Sequence, residues 1–394
     1  MAFDPQAAQG IGDNIIAVYA RAELYLIEVI RDAIIAAGEA PTWAEAQLLA
    51  IRQQRGRIQG ISEELQRLSP TLWEDVTQRA FLRGQIEAEK ELAPIPTLTP
   101  AATVINDAAV YALAAEQVGR FSQIHRGILR RTDDIWRAIN AEVTGMTVTG
   151  TMTVKEAAQR SFTRMTREGL GFFVDKAGRK WGLDTYAEMA VRTSTHQALR
   201  MGHTETMQQY GVDLVVISSH ANPAEVCAPY ENKVISLTGK FPNGRQRIGD
   251  QIFTVTASMA EAEAAGLHHV NCAHGHSAYV PGYTKLDPTV ETTYDEAGYK
   301  ATQKQRYYER QIRKSKQMES AATTDQALLE AKRRKSAYQA KLRDHVAEHD
   351  LPRRRDREQV MKEVKGRKAG PIPNIPLRSD GKPVTSRIEL PDIL

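Results

Sequence analysis

The chain has 394 residues, enough for two or three domains; 42% are hydrophobic, 25% are charged, and the formal net charge is +4. That balance describes a soluble chain able to bury a core, and no run of about 18 apolar residues offers a transmembrane span. Two cysteines exclude a disulfide framework. The opening MAFDPQAAQG lacks the basic and apolar regions of a secretion signal, which predicts cytoplasmic synthesis, where metal binding or plain burial outranks a Cys227–Cys272 disulfide.

Only 6% of residues are aromatic, and alanine, glutamate, glutamine and arginine are plentiful, a balance that leans helical. Residues 11–40 carry Ile15, Ile16, Tyr19, Leu24, Leu26, Ile27, Ile30, Ile34 and Ile35 at roughly helical spacing, closed by Gly38 and Pro41. Thr42 is placed to cap a second helix, weakened at Gly56 and Gly60, and Ser69-Pro70 predicts the start of a third over 71–92. The proline-rich APIPTLTP (93–100) reads as a loop, and helical character resumes over 101–142. TGMTVTGTMTV (144–154) holds five threonines and two glycines, which suits a hinge or a hairpin better than a helix interior. A helix is predicted from Lys155 to Leu170, then a short hairpin in GFFVDKAGRKW turned by Lys176-Ala177-Gly178. A long helix follows, opened by Asp184-Thr185 with Glu188 nearby and ended by Gly211.

The period then changes. VDLVVISSH (212–220), KVISL and IFTVTA read as strands, TGKFPNGRQRIGDQ as turns with Asn243-Gly244 suited to a hairpin, and MAEAEAAG as a short helix. The fold class expected is α+β: a mostly helical chain with a small α+β module of few strands. Residues 300–368 carry 21 Lys and Arg against 10 Asp and Glu, so the remainder is net acidic. That segment predicts charged helices broken near 321–324, with a narrow apolar stripe (Ile312, Leu328, Leu329, Leu342) suited to an antiparallel hairpin or a partner's surface. From PIPNIPL onward the chain reads as extended or disordered.

Four of ten histidines and one of two cysteines fall between His268 and His276, in GLHHVNCAHGHSAYVPG. Zinc takes four Cys, His or carboxylate ligands, often in pairs on tight turns. Here His269, Cys272 and His274 lie within six residues, Cys227 lies 45 residues upstream on a loop after a strand, and His220, His268 and His276 are spares. Ligands from two loops would pin a sheet whose core is too small to hold alone. Three other readings stay open. The cysteines are small buried hydrophobes with histidines at a polar rim. One cysteine is a nucleophile with a histidine base, which nothing else in the sequence supports. His268-His269-Val270-Asn271 belongs to a His-Asn-His metal nuclease, although its residues sit too close together and no helix carrying the last histidine follows.

Arg192-Thr193-Ser194 with His196 lies mid-helix; Arg192 there more often caps or bridges an internal carboxylate than binds phosphate. His196 and His203, seven apart, share a helix face as a packed pair. No Walker loop or dinucleotide fingerprint is present. The basic C-terminal run, with Arg333, Arg334, Lys335, Arg353, Arg354 and Arg355, suits DNA phosphates or an acidic surface as well as a solvated helix face.

TYAEMAVRTSTHQALRMG, SSHANPAEVCAPYENKVISLTG and GLHHVNCAHGHSAYVPG occur in that order, and together they resemble the phage minor capsid protein 2 family, within the head-morphogenesis proteins that include phage Mu's minor head protein. The matches are Arg192-Thr193, His220, Tyr230 to Val234, Asn271-Cys272 with His274, and Pro281-Gly282, with a similar basic helical tail downstream. They cover about 185–360; the N-terminal helices are merely compatible. Where the family's loop usually offers a histidine, this chain has Cys227, an exchange that keeps a zinc ligand and removes a general base. The Mu-like His-Pro-x-Cys-x-Cys turn places His269, Cys272 and His274 on ligand positions, and His220 and His276 are possible additional ligands. The resemblance thus implies a structural zinc and no catalytic residue. It implies a helical domain over 1–143 contacting portal or capsid, a linker over 144–154, a metal-pinned MuF-like α+β module over 155–285, a basic helical tail over 286–370 and an extended or disordered end over 371–394. The implied role is a low-copy structural protein of the virion, assembled in the host cytoplasm and held near the portal. Its implied partners are the portal protein, the major capsid or scaffold protein, and packaged DNA, with no membrane contact. The alternative is a metal-dependent nuclease or toxin-like effector carried in the head.

Overall fold

A computed structural model describes residues 10–37, 43–100, 107–148, 152–168, 170–171, 173–175, 178, 180–286, 288–289 and 293–360. Its elements are α1 (Asp13–Ala37), α2 (Trp43–Leu92), α3 (Asp107–Val148), α4 (Val154–Glu168), β1 (Phe173–Val174), β2 (Lys180–Trp181), α5 (Leu183–Gln209), β3 (Leu214–Ile217), β4 (Val234–Ser236), β5 (Gly244–Ile248), β6 (Gln251–Ser258), α6 (Met259–Ala264), β7 (His276–Ala278), α7 (Glu296–Ser320) and α8 (Asp325–Glu348). The class is α+β, mostly helical with a small mixed sheet. Among the described residues no helix is long and apolar enough to cross a membrane.

The chain divides into two compact units, one of Met1–Gly12, Trp73–Glu116 and Met189–Gln303, the other of Asp13–Leu72, Gln117–Glu188 and Lys304–Leu394. The first is built on a five-stranded sheet of order β5-β6-β4-β3-β7, antiparallel except for the β4–β6 pair. Alternation along the strands divides its apolar residues between two faces. Val215, Ile217, Ile235, Ala257 and Ala278 pack with Leu92, Ile95 and Met207 and with both cysteines. Leu214, Val234, Phe253 and Val255 form a smaller cluster, joined by Val216, Phe241 and Tyr279. In the second unit α1 and α3 bury Tyr19, Leu26, Phe121 and Trp136. In that unit α7 and α8 run antiparallel, as the pairs Glu319–Lys335, Gln311–Arg334 and Tyr308–His345 require. Gln159 of α4 accepts hydrogen bonds from the backbone and hydroxyl of Thr323 and so anchors the α7–α8 turn.

Several predicted boundaries hold for their stated reasons. The α5 helix ends where Gly211, at φ 73°, turns its N–H to Gln208 and Val212 reaches back to Met207. The break between α7 and α8 falls at 321–324, where Thr324 caps α8 by accepting from the Ala327 N–H. The short hairpin forms with Phe173 opposite Trp181; its turn residues Lys176 and Ala177 lie outside the described residues, as do the predicted breaks and cap at 38–42 and the chain beyond residue 360.

Others are corrected. Ser69-Pro70 does not start a new helix: α2 runs through Pro70. The proline removes one backbone donor, yet Leu65 before it and Trp73 after it are both buried, so apolar burial carries the helix across. The threonine-rich stretch is helical as far as Val148, with the Thr144 and Thr147 hydroxyls turned onto the carbonyls of Asn140 and Val143. Asn243-Gly244 does not make the hairpin; Gly249-Asp250 does, between Ile248 and Gln251, so the predicted turn region contains the strand β5. The histidine cluster contains a further strand, β7.

Candidate metal centre

Two turns of the first unit converge at the end of β3. The first leaves β3 through Ser218 and His220 and enters a single 3₁₀ turn, Ala228–Tyr230, with Cys227 at its N-cap. The second follows α6 and makes two residues left-handed, His268 at φ 61° and Asn271 at φ 65°. The Cys272 N–H closes that turn on the His269 carbonyl at 2.9 Å. Ser218 and Gly275 then lock the two segments together, through Ser218 N–H to Gly275 O at 3.0 Å and Gly275 N–H to Ser218 Oγ at 3.0 Å. The rings of His220 and His274 consequently lie 4.2 Å apart. From α5, Thr193 Oγ1 accepts from the Asn271 N–H and Arg192 donates to Asn271 Oδ1 at 3.4 Å, so the Arg-Thr pair braces the cysteine turn.

This framework brings Cys227, Cys272 and His274 together, with one ligand atom of each within 4.8 Å of the others. The sulfurs are 3.9 Å apart, and Cys272 Sγ is 3.2 Å from His274 Nδ1. A tetrahedral ion with metal–sulfur bonds of about 2.3 Å separates its sulfurs by about 3.8 Å and a sulfur from an imidazole nitrogen by about 3.6 Å. The first distance fits and the second is slightly short. Cys227 is 0% exposed, Cys272 5% and His274 2%.

The electrostatics suit a cation. The neighbouring Cys227 thiol and the His274 ring outweigh burial and draw the Cys272 thiol well below its usual range, toward the thiolate. The hydrogen bond to that thiolate pushes Cys227 upward, with burial adding to it. Burial would lower His274, but its bonds to Cys272 and Glu231 overcome it and hold the ring at about 9. His274 Nε2–H donates to Glu231 Oε1 at 2.7 Å, and Glu231 is 1% exposed. Glu231 also accepts from the His220 N–H at 3.0 Å, and His220, Glu231 and His274 form an adjoining ligand group. A carboxylate behind a ligating imidazole fixes its tautomer and raises its basicity.

The other predicted ligands fall elsewhere. His269 is exposed, with Nδ1–H donating to the Val270 carbonyl at 2.8 Å. His276 is buried in β7, with Nε2 2.9 Å from Thr204 Oγ1 and its ring 5.3 Å from that of His203; burial lowers its pKa well below the usual value. His268 pairs with Glu263 at 3.2 Å. His203 faces Glu91 at 3.2 Å. Glu231 escaped the sequence reading: it lies in the family-like Tyr230–Val234 stretch, four residues after Cys227, but spacing alone does not mark a carboxylate as a histidine's partner.

Two catalytic readings meet this geometry. Cys272, His274 and Glu231 follow the order of a thiol nucleophile, its base and an orienting acid. Yet Cys272 is buried, and its sulfur lies 3.9 Å from that of Cys227. The His-Asn-His reading needs a helix after the turn, and β7 stands there instead.

Of the predicted DNA-facing cations, Arg334 donates to Gln311 and lies over the Tyr338 ring, Lys335 pairs with Glu319 at 2.6 Å, and Arg353 is bidentate on Glu358. Arg333 and Arg355 are exposed, and Arg354 is half-buried.

Comparison with known proteins agrees with these motifs. The family described as Phage minor capsid protein 2 matches residues 3–347. A structural protein of Lactococcus phage LL-H is 27% identical over 340 residues, covering 81% of this chain and 90% of the relative. No solved structure matches the chain.

Proposed function

This chain belongs to the phage minor capsid protein 2 family and is a protein of the virion, and on that premise we propose that it is a low-copy head-morphogenesis component held near the portal vertex by a zinc-pinned module. The observation that carries this reading is the buried Cys227–Cys272–His274 group backed by Glu231. Its ligand atoms lie close enough for one ion, and their burial supports a centre that holds the fold. His269 lies outside this group, with its exposed ring donating to the Val270 carbonyl; as fourth ligand of the proposed set it would have to turn that ring onto the ion. Zinc, when bound, would tie the loop after β3 to the turn before β7. The apolar helix faces of the N-terminal part contact portal, capsid or scaffold protein. The exposed cations of the C-terminal tail, Arg333 and Arg355 among them, face packaged DNA or an acidic capsid surface.

The deciding experiment is quantitative mass spectrometry of purified virions together with zinc analysis of the isolated protein. The expected result is a copy number far below that of the major capsid protein and one zinc per chain, lost in Cys272→Ser. Absence from mature particles would overturn the placement, and a metal-free, fully stable wild type would overturn the zinc centre. DNA retention that falls steeply with salt and disappears on truncation near residue 300 would support the tail's role. Magnesium-dependent nicking that requires His269 would favour the nuclease instead.

A further inference from the structure

The last turn of α8 presents a second ligand set, in the other unit. His345, Glu348 and His349 occupy positions i, i+3 and i+4, which lie side by side on one face of a helix. One ligand atom of each falls within 4.8 Å of the others. The two imidazole centroids are 4.5 Å apart, and Glu348 Oε2 is 4.0 Å from His349 Nε2. The first histidine is buttressed: Tyr308 of α7 sets its ring edge-on at 5.6 Å to His345, and Tyr338 stands 6.2 Å behind Tyr308. The His349 N–H donates to the His345 carbonyl at 3.2 Å, so the helical turn is closed between the two residues. The negative end of the helix dipole favours a cation there.

We propose that this turn binds a divalent transition-metal ion of the nickel, zinc or copper class through His345, His349 and Glu348. Two histidines one turn apart on a helix form a recognised metal-binding pair. Imidazole and carboxylate without sulfur suit these ions, whereas calcium and magnesium prefer all-oxygen sites. Glu348 is 74% exposed and His349 40% exposed, so an ion held here keeps coordination positions open to solvent. It differs in this from the enclosed cysteine centre, and the two sites are independent in residues and in chemistry.

The test uses the untagged full chain, loaded with zinc and freed of excess, and titrates it with nickel(II) by calorimetry, copper(II) by electron paramagnetic resonance and cobalt(II) by visible absorption. One further ion is expected per chain, with nitrogen hyperfine structure in the copper spectrum and none of the intense thiolate charge-transfer bands that cobalt(II) gives at a cysteine site. His345→Gln with His349→Asn, polar changes that keep α8's packing and its C-cap, should weaken nickel binding by more than the about 10–100-fold that an outer-shell partner is worth. Glu348→Gln should weaken it less. Binding by the double variant that equals wild type would overturn the site, as would a single added ion whose cobalt spectrum carries sulfur bands. If the double variant loses far-ultraviolet helicity, Glu348→Gln alone decides, since its side chain is exposed.

Discussion

Nε2 of His274 lies 2.7 Å from Oε1 of Glu231, and the two side chains are 1% and 2% exposed. A carboxylate there keeps the proton on Nε2 and leaves Nδ1, which faces Cys272, as the ligand atom. Glu231→Gln preserves shape but can present its amide N–H₂ to the ring, so the preferred tautomer is lost. Zinc affinity should fall about 10–100-fold, as measured by competition with a chromophoric chelator, with far-ultraviolet dichroism unchanged. Affinity equal to wild type would mean that Glu231 does not set the ring.

Removal of the metal should be felt as stability. An ion that binds only the folded chain adds about 2.7 kcal/mol at 100 times its dissociation constant. A strong chelator should therefore lower the thermal midpoint of wild type with the logarithm of the free-ion concentration. Cys227→Ser and Cys272→Ser should start from a lower midpoint and respond less to chelator than wild type. His269→Ala separates the fourth position from the other three: weaker zinc binding places His269 on the ion, and unchanged binding removes it from the set.

A second buried histidine gives the protein a predictable acid sensitivity. His125 of α3 is 0% exposed, its Nε2 lies 2.9 Å from the Tyr19 hydroxyl, and burial lowers its pKa to about 4. The unfolded chain takes up the proton near 6.5 and the folded chain resists it until about 4. The stabilisation is therefore complete above 6.5 and is lost as pH falls through that window, at about 1.4 kcal/mol per pH unit and about 3 kcal/mol in all. His125→Gln keeps a partner for Tyr19 and removes the proton uptake. Urea denaturation at pH 7 and pH 4.5 should show a smaller acid loss in the variant, and equal losses would place the acid sensitivity elsewhere.

The elements legible in the sequence were those specified by local chemistry: the glycine that ends α5, the threonine that caps α8 and the β-branched runs of β3 and β6. The elements missed depend on partners distant in sequence. Pro70 disfavours helix locally, yet α2 runs through it because the packing of Leu65 and Trp73 outweighs local propensity. β5 carries Arg245 and Arg247 with no apolar alternation, and its burial pattern is almost wholly exposed; pairing with β6 alone makes it a strand. At the metal centre, the crowding of Cys272 and His274 and the upstream Cys227 were visible, because ligand types are visible in composition. Glu231 and the bracing by Arg192 and Thr193 were not, because residues that hold a ligand in place from behind have no fixed spacing from it.

The glycines Gly84 of α2 and Gly202 of α5 belong to the same lesson, since glycine in a helix ordinarily reads only as weakness. A β-carbon on Gly84 would fall onto the Leu199 carbonyl, and one on Gly202 onto the Phe81 carbonyl. The two helices therefore approach backbone to backbone in both directions, and no side-chain rotation relieves the overlap. Alanine gains about 1 kcal/mol over glycine in a helix, while overpacking costs about 1–3 kcal/mol and a rigid carbonyl puts this case at or above the upper end. Gly84→Ala and Gly202→Ala should each destabilise by about 2 kcal/mol. Gly119 and Gly127 of α3 have open space where a β-carbon would stand, so the same substitution there should stabilise by up to about 1 kcal/mol. Opposite signs for the two pairs, read from denaturant midpoints at a constant slope, would establish that the α2–α5 contact depends on bare backbone; stabilisation by all four would show that the helices can separate to admit a methyl group.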